Sequence, residues 1–123
     1  MKKLLVVEDE FFVRSMAEIY IEDFGYTASY AEDVTSAHAM MNSDEPFDLL
    51  FTDIRLNADI HGGFEIAREA VKHRPGLRVL YTTGGTVTDE MTAMFVQDGG
   101  FLQKPYSQSD LQASLKEMLW AVA

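Results

Sequence analysis

The sequence predicts an α/β domain with a parallel five-stranded sheet, and three observations support this class. Short apolar runs of strand length alternate with amphipathic stretches of helix length along the chain, an order typical of α/β proteins with a parallel sheet. The length of 123 residues fits a single domain. No repeat, low-complexity tract or Pro/Gly/Ser-rich linker interrupts the pattern. We therefore expect one domain that covers residues 1–123.

The apolar runs and the amphipathic stretches assign the individual elements in chain order. Strands β1 to β5 are predicted at Lys3–Val7, Thr27–Tyr30, Leu49–Thr52, Arg78–Thr82 and Phe101–Gln103. Helices α1 to α5 are predicted at Glu10–Phe24, Val34–Met41, Phe64–His73, Asp89–Gln97 and Gln108–Ala121. Start and stop signals agree with these bounds: Asp33, Thr88 and Ser107 can cap the second, fourth and fifth helices, and Gly25 follows the first.

The first predicted helix has a clear helical period. Five apolar residues fall on one stripe of it, namely Phe12, Met16, Ile19, Tyr20 and Phe24. We interpret this stripe as ordinary core packing and not as a cofactor site.

Composition excludes several classes of function. The chain has no cysteine, so disulfides, thiolate metal sites and cysteine nucleophiles are not available. With 20 acidic residues against 10 Lys and Arg, the net charge of −10 repels phosphate backbones and anionic lipid surfaces. No apolar run is long enough for an export signal or a membrane span. We expect a cytoplasmic protein that binds neither nucleic acid nor membranes directly.

Polar side chains follow four of the predicted strands at the point where each strand ends. Glu8 and Asp9 follow β1, Asp53 follows β3, Thr83 follows β4 and Lys104 follows β5. In open α/β sheets, ligands bind in the crevice beyond the carboxyl ends of the strands. These side chains should therefore meet at one edge of the sheet.

Three carboxylates in one pocket repel each other, and a cation is the usual means of neutralising them. Glu8, Asp9 and Asp53 therefore predict a site for a hard divalent ion such as Mg²⁺, which prefers oxygen ligands. Taken singly, acids at these positions are more often explained by a helix start or a turn. The Lys104–Pro105 bond is a candidate cis peptide that could direct the lysine inward.

The motifs Val-Val-Glu8-Asp9-Glu, Thr-Asp53-Ile, Tyr-Thr-Thr83-Gly84 and Lys104-Pro105 occur together in one order and spacing. In this respect the sequence resembles, over essentially its whole length, the receiver domain of two-component response regulators, of the stand-alone type. The resemblance implies a flavodoxin-like, doubly wound (βα)₅ fold with strand order 2-1-3-4-5.

The resemblance also implies roles for individual residues. Asp53 would accept a phosphoryl group, and Glu8, Asp9, Asp53 and the carbonyl of Arg55 would hold Mg²⁺ or Mn²⁺. Lys104 would form a salt bridge to the phosphoryl group, and the hydroxyl of Thr83 would turn inward to bind it. Such a protein is not a turnover enzyme in the usual sense, although it catalyses its own phosphorylation and dephosphorylation. No other cofactor is expected.

The implied partners are proteins. A histidine kinase or a histidine phosphotransfer protein would supply the phosphoryl group. Output would proceed through the α4-β5-α5 surface, which would include Phe95, Phe101 and Tyr106, or the chain would act as a phosphate shuttle or sink. A phosphorylation-dependent homodimer is a further expectation, and a piece of a longer hybrid kinase would use the same chemistry with another partner.

Two departures from the family pattern keep alternatives open. The turn after Asp53, from Arg55 to Gly63, lacks the usual proline and is slightly longer, and Phe101 replaces tyrosine at the aromatic switch position. A receiver-like module that binds partners without phosphorylation is the main alternative.

Two other functions and the histidines carry less weight. A flavin mononucleotide carrier is disfavoured by the acids after β1. A phosphohydrolase would need a second carboxylate as general acid/base, and none is evident. His61 is expected to be an exposed turn residue, and neither it nor His38 or His73 is assigned a function.

Overall fold

The computed structural model describes residues 2–120 and confirms the predicted fold class. Five parallel strands form one sheet in the order β2-β1-β3-β4-β5. The strands are Lys3–Val7, Thr27–Ala31, Leu49–Asp53, Arg78–Thr83 and Gly100–Gln103. The helices are Phe11–Asp23, Val34–Met41, Gly62–His73, Asp89–Thr92 and Gln108–Trp120.

The core lies on both faces of the sheet because helices cover both of them. Along β1, Leu5 and Val7 pack with α2 and α3, whereas Leu4 and Val6 pack with α1 and α5. All four side chains are buried. This two-sided burial explains why β1 and β3 are continuous apolar runs without an alternating pattern.

The predicted capping residues are observed at the starts of α2, α4 and α5, and the predicted glycine follows the end of α1. Asp33 accepts a hydrogen bond from Ser36 N, Thr88 from Met91 N and Ser107 from Asp110 N, at 2.7, 3.1 and 3.0 Å. Gly25 adopts a left-handed φ of +86° just beyond α1. Four predicted strands gain one residue at an end, and Ala121, the predicted end of α5, lies outside the described residues. None of the helices in residues 2–120 is long and apolar enough to cross a membrane.

The interpretation of the α1 stripe as core packing is wrong for three of its five residues. Phe12, Met16 and Ile19 are 81%, 47% and 61% exposed. The face that packs on the sheet is instead centred on Ala17 and Ile21, which are buried. Small and β-branched residues allow the helix to approach the sheet closely, and the larger side chains of the stripe are turned outward. Tyr20 and Phe24, at its border, are half-buried.

The fourth helix is also shorter than predicted, covering Asp89–Thr92 and not Asp89–Gln97. The amide of Val96 donates to the hydroxyl oxygen of Tyr81 at 3.0 Å, whereas a continuing α-helix would direct that amide to the carbonyl of Thr92. Tyr81 is fully buried on β4. A side chain from the neighbouring strand therefore takes a hydrogen bond that helix extension would need.

We predict that Tyr81→Phe lowers the free energy of unfolding by about 1 kcal/mol, because it removes one hydrogen bond and keeps the ring. Hydrogen exchange of the Val96 amide should become faster, and this is the measurement that checks the prediction. Tyr30→Phe is the matched control, since no hydrogen bond of its hydroxyl occurs within residues 2–120. Unchanged exchange at Val96 would contradict the assigned bond.

Candidate functional site

The register of the sheet brings the predicted polar residues to one edge. Asp53 pairs with Thr82 across β3 and β4, and Thr83 pairs with Gln103 across β4 and β5. Because the strands are parallel, their carboxyl ends meet at this edge. Glu8 and Asp9 follow the end of β1, beside Asp53. The expected convergence is therefore observed.

Lys104 joins two of the acids directly. Its Nζ lies 2.6 Å from Glu8 Oε1 and 2.9 Å from Asp53 Oδ2. Glu8 and Asp53 are only 3% and 5% exposed, and the Lys104 side chain is 15% exposed. A salt bridge of this kind is sheltered from water, so each member depends on the others for compensation of its charge. The Lys104–Pro105 peptide is cis, as the sequence indicated.

Burial together shifts the pKa of each of the three groups. Burial and the hydrogen bond with Asp53 raise the pKa of Glu8 to about 8. Burial also raises the pKa of Asp53. For Lys104, burial works in the opposite direction, but the hydrogen bonds with Glu8 and Asp53 raise its pKa overall. One cation is thus not enough to keep both buried carboxylates ionised at neutral pH.

The acids have the donor set that a divalent cation requires. One carboxylate oxygen from each of Glu8, Asp9 and Asp53 lies within 4.8 Å of the others. Hard divalent ions prefer carboxylate oxygens, and the surplus negative charge of the pocket is what such an ion would neutralise. The residues present therefore fit Mg²⁺ or Mn²⁺.

The unusual turn after Asp53 is an ordered part of this site. Leu56 and Asp59 exchange two backbone hydrogen bonds of 2.9 Å, and the Leu56 side chain is buried. Asn57, at the tip, adopts a φ of +56°, which asparagine tolerates better than most residues. The backbone N–H of Asn57 donates to Asp9 Oδ2 at 2.8 Å. This bond lowers the pKa of Asp9 although burial opposes the shift.

Two glycines bring the start of α3 against the end of β3. The helix begins at Gly62 and not at the predicted Phe64. Gly63 N donates to Ile54 O at 2.9 Å, and a Cβ placed on Gly63 would lie 2.1 Å from Asp53 O. Only glycine allows this close approach of two backbones, so Gly63 helps to hold Asp53 in place.

Thr83 and its loop are held by neighbouring groups. Thr83 Oγ1 accepts a hydrogen bond from Gly85 N at 3.3 Å. The carbonyl of Thr83 accepts from Lys104 N at 3.0 Å and from the Gln103 side chain at 2.8 Å. The hydroxyl of Thr83 therefore faces its own loop in this structure.

The residues expected on the output surface pack in two different clusters. Phe101 is half-buried on β5 and packs near Phe95, with ring centroids 6.4 Å apart. Phe95 in turn lies 4.3 Å from the ring of Tyr81. Tyr106 instead packs edge-on against Phe51, within the core on the α1 and α5 face of the sheet. Tyr106 thus packs on the α5 side of β5, whereas Phe95 and Phe101 pack on the α4 side. A shared output surface of these three residues stays a prediction.

Two depressions meet at Lys104. A cleft of about 560 Å³ is lined by Asp9, Asp53, Thr83 and Lys104, and also by Arg55. A second groove of about 460 Å³ runs from Lys104 along α1 and is lined mainly by apolar groups: Phe12, Val13, Met16, Tyr20, Pro105 and Tyr106, with Glu10 and Gly84.

Some residues of the site were not expected from the sequence. His61 is exposed, as predicted, yet it lines the cleft that contains Asp53. Asn57 contacts Asp9, and Gln103 contacts the backbone of Thr83. Gly63 lies against the backbone of Asp53. For these contacts, the sequence offered one signal, the Gly62-Gly63 pair.

Comparison with known proteins agrees with the fold and identifies a family. The family described as response regulator receiver domain matches residues 4–116. The response regulator receiver protein CpdR of Brucella abortus is 31% identical over 122 residues, covering 98% of this chain and 99% of that protein. The chain spans 51% and 52% of two longer transcriptional regulatory proteins, from Bacillus subtilis and Pseudomonas aeruginosa.

Solved structures share the architecture. A response regulator receiver protein from Sinorhizobium medicae has a TM-score of 0.89 at 25% identity, covering 98% of this chain and 95% of that one. The receiver domain of a Pseudomonas aeruginosa sensor histidine kinase has a TM-score of 0.82 at 20% identity, covering 98% of both chains, and holds magnesium in its active site cleft. With the family match over residues 4–116, these findings show that the chain belongs to the response regulator receiver domain family.

Proposed function

We propose that this receiver domain is a phosphoacceptor switch in which Asp53 accepts a phosphoryl group from a phosphohistidine. The observation that carries the proposal is the buried cluster at the sheet edge, where Lys104 contacts both Glu8 and Asp53 within 3 Å. Asp9 and Thr83 border the same cleft as Asp53. We further propose that residues 1–123 act as one domain in the cytoplasm.

The residues of the chain act mainly by position and charge. A bond forms between an Asp53 carboxylate oxygen and phosphorus while the bond from phosphorus to the donor imidazole nitrogen breaks, and its electron pair stays on that nitrogen. Phosphoryl transfer of this kind needs in-line positioning and charge neutralisation more than covalent chemistry. Lys104 Nζ, already 2.9 Å from Asp53 Oδ2, supplies a fixed positive charge at the acceptor.

Glu8, Asp9 and Asp53 would hold Mg²⁺ with their carboxylates, and the carbonyl of Arg55 would be a further ligand. The ion would supply positive charge that offsets both the carboxylates and the incoming phosphoryl oxygens. Asn57 supports this arrangement, because its backbone N–H fixes the orientation of the Asp9 carboxylate. The turn without proline thus keeps a defined contact with the acid cluster.

Phosphorylation would change the contacts of Thr83 and Lys104. The new phosphoryl oxygens compete for the Lys104 ammonium group and offer an acceptor to the Thr83 hydroxyl. For this to happen, Thr83 Oγ1 must leave Gly85 N, and the loop after β4 must move with it. Movement of this loop would reach α4 and Phe101 on β5, and so alter the surface offered to a downstream protein.

Incubation with Mg²⁺ and acetyl phosphate tests the proposal. The intact mass of the wild-type protein should rise by one phosphoryl group, because the acid cluster and Lys104 are already assembled around Asp53. Asp53→Asn should show no rise, since the amide is not a phosphoacceptor. If the mass of the wild type stays constant and beryllofluoride also leaves its NMR spectrum unchanged, a binding module that works without phosphorylation becomes the better interpretation.

The apolar groove beside α1 is the surface that we assign to the phosphodonor protein. A donor must bring its phosphohistidine to Asp53, and the groove begins at Lys104, which touches Asp53. Phe12 and Met16 project from its α1 wall with 81% and 47% exposure. Exposed apolar side chains next to a reaction centre are typical of protein contact sites. A helical donor surface with apolar side chains fits such a groove.

Phe12→Ser should slow phosphoryl transfer from a panel of autophosphorylated histidine kinases by at least about tenfold, as expected for loss of an apolar anchor. The rate is divided by the rate with acetyl phosphate, so that changes in the chemistry of Asp53 cancel. Phe11→Ser is the matched control, because Phe11 is 64% exposed on the same helix but does not line the groove. Equal normalised rates for the two variants would refute the assignment of the groove.

A further inference from the structure

The side chain of Gln103 binds the end of β4 and the loop that follows it. Its Nε2 donates to Thr83 O at 2.8 Å and to Gly85 O at 3.2 Å. The carbonyl of Lys104 lies 3.3 Å away as a third acceptor. Three carbonyl oxygens around one amide position require a donor there, so the orientation of this amide follows from its chemistry.

The two loop carbonyls flank the contact that keeps Thr83 in its present orientation. Gly85 N donates to Thr83 Oγ1 within the same loop, while Gln103 holds the carbonyl groups of both Thr83 and Gly85. The loop itself has little packing to hold it, because Gly84 and Gly85 are exposed and a Cβ on Gly84 would meet nothing within 4 Å. The amide of Gln103 is therefore a main restraint on its position.

The geometry points to Gln103 as a positioning residue that holds the loop Thr83–Gly85 in its resting arrangement and so sets how readily the switch responds to phosphorylation. This inference rests on the proposed function, in which Thr83 turns toward the phosphoryl group. Among the hydrogen bonds of residues 2–120, the Gln103 side chain makes none to Asp53 or to Lys104 Nζ. It therefore acts through Thr83. Bonds made only in the resting arrangement shift the equilibrium toward it.

The test uses beryllofluoride as the phosphoryl mimic and follows the backbone amides of Thr83, Gly84 and Gly85 by NMR in the presence of Mg²⁺. In Gln103→Ala without beryllofluoride, these resonances should move toward the positions that the wild type reaches with it. The beryllofluoride concentration at half-saturation should fall about fivefold, as expected for loss of the two hydrogen bonds to Thr83 O and Gly85 O. Gln103→Glu should shift at least as far, because a carboxylate cannot donate to the three carbonyls.

Gln97→Ala is the matched control, since Gln97 is an exposed glutamine beyond α4, and it should behave as the wild type. Resonances of Gln103→Ala that coincide with wild type in both states, with an unchanged half-saturation, would overturn the inference. A higher half-saturation would also overturn it, because Gln103 would then support the switched arrangement. If the wild type itself does not respond to beryllofluoride, the proposed function fails first and the role of Gln103 fails with it. A denaturation curve for each variant separates these results from loss of folding.

Discussion

Gly63→Ala should lower the free energy of unfolding by about 3 kcal/mol or more, a large part of the roughly 5–15 kcal/mol typical of a domain. A Cβ at this position would lie 2.1 Å from Asp53 O, 2.8 Å from Ile54 Cα and 2.9 Å from Asp53 C. All three atoms belong to the backbone at the end of β3, which is buried and paired on both sides. No side-chain rotation can relieve the overlap, so α3 must separate from the sheet.

Urea denaturation at neutral pH measures this effect. Gly76→Ala is the matched control, because a Cβ there would meet nothing within 4 Å, and its stability should stay within about 0.5 kcal/mol of the wild type. In the fraction of Gly63→Ala that remains folded, phosphorylation by acetyl phosphate should be slower, since Asp53 is displaced. A midpoint equal to that of the wild type would contradict the close approach of Gly63 to β3.

The second large effect concerns pH. Without divalent cations, the stability of the protein should fall as pH rises from about 4.5 to about 8, by about 2–4 kcal/mol. The pKa of Glu8 is raised from 4.5 to about 8, first by burial and then by its hydrogen bond with Asp53. Below pH 4.5 both folded and unfolded states carry the proton. Between these two pKa values only the folded state keeps the Glu8 proton, so stability is lost progressively until the pH exceeds about 8.

Asp53 contributes in the same direction, because burial raises its pKa as well. Glu8→Gln should remove most of the pH dependence and raise stability at pH 8, since the amide needs no proton to remain neutral. Saturating Mg²⁺ should flatten the wild-type profile for the same electrostatic reason. Thermal unfolding in a chelator across pH 5–9 provides the measurement, with Glu18→Gln, an exposed acid on α1, as control. A wild-type profile that is flat or rises over this range would disprove the shared burial of charge.

Much of the site could be predicted from the sequence because it depends on strand ends. Once β1, β3, β4 and β5 are recognised as parallel strands, their carboxyl ends must share one edge. Glu8, Asp9, Asp53, Thr83 and Lys104 then converge wherever the exact strand bounds fall. The receiver motifs added the strand order, which apolar periodicity alone does not contain. Errors of one residue in strand bounds did not affect this result.

The fold class and the composition of the acid cluster thus follow from patterns along the chain, whereas the free surfaces and the contacts that orient the site depend on how the elements pack together. The α1 stripe has helical periodicity, but the close packing of Ala17 and Ile21 on the sheet leaves Phe12 exposed. The α4 pattern continues past Thr92, but the hydroxyl of Tyr81 takes the amide of Val96. Periodicity reports only local preferences, whereas burial and long-range hydrogen bonds depend on which element lies opposite.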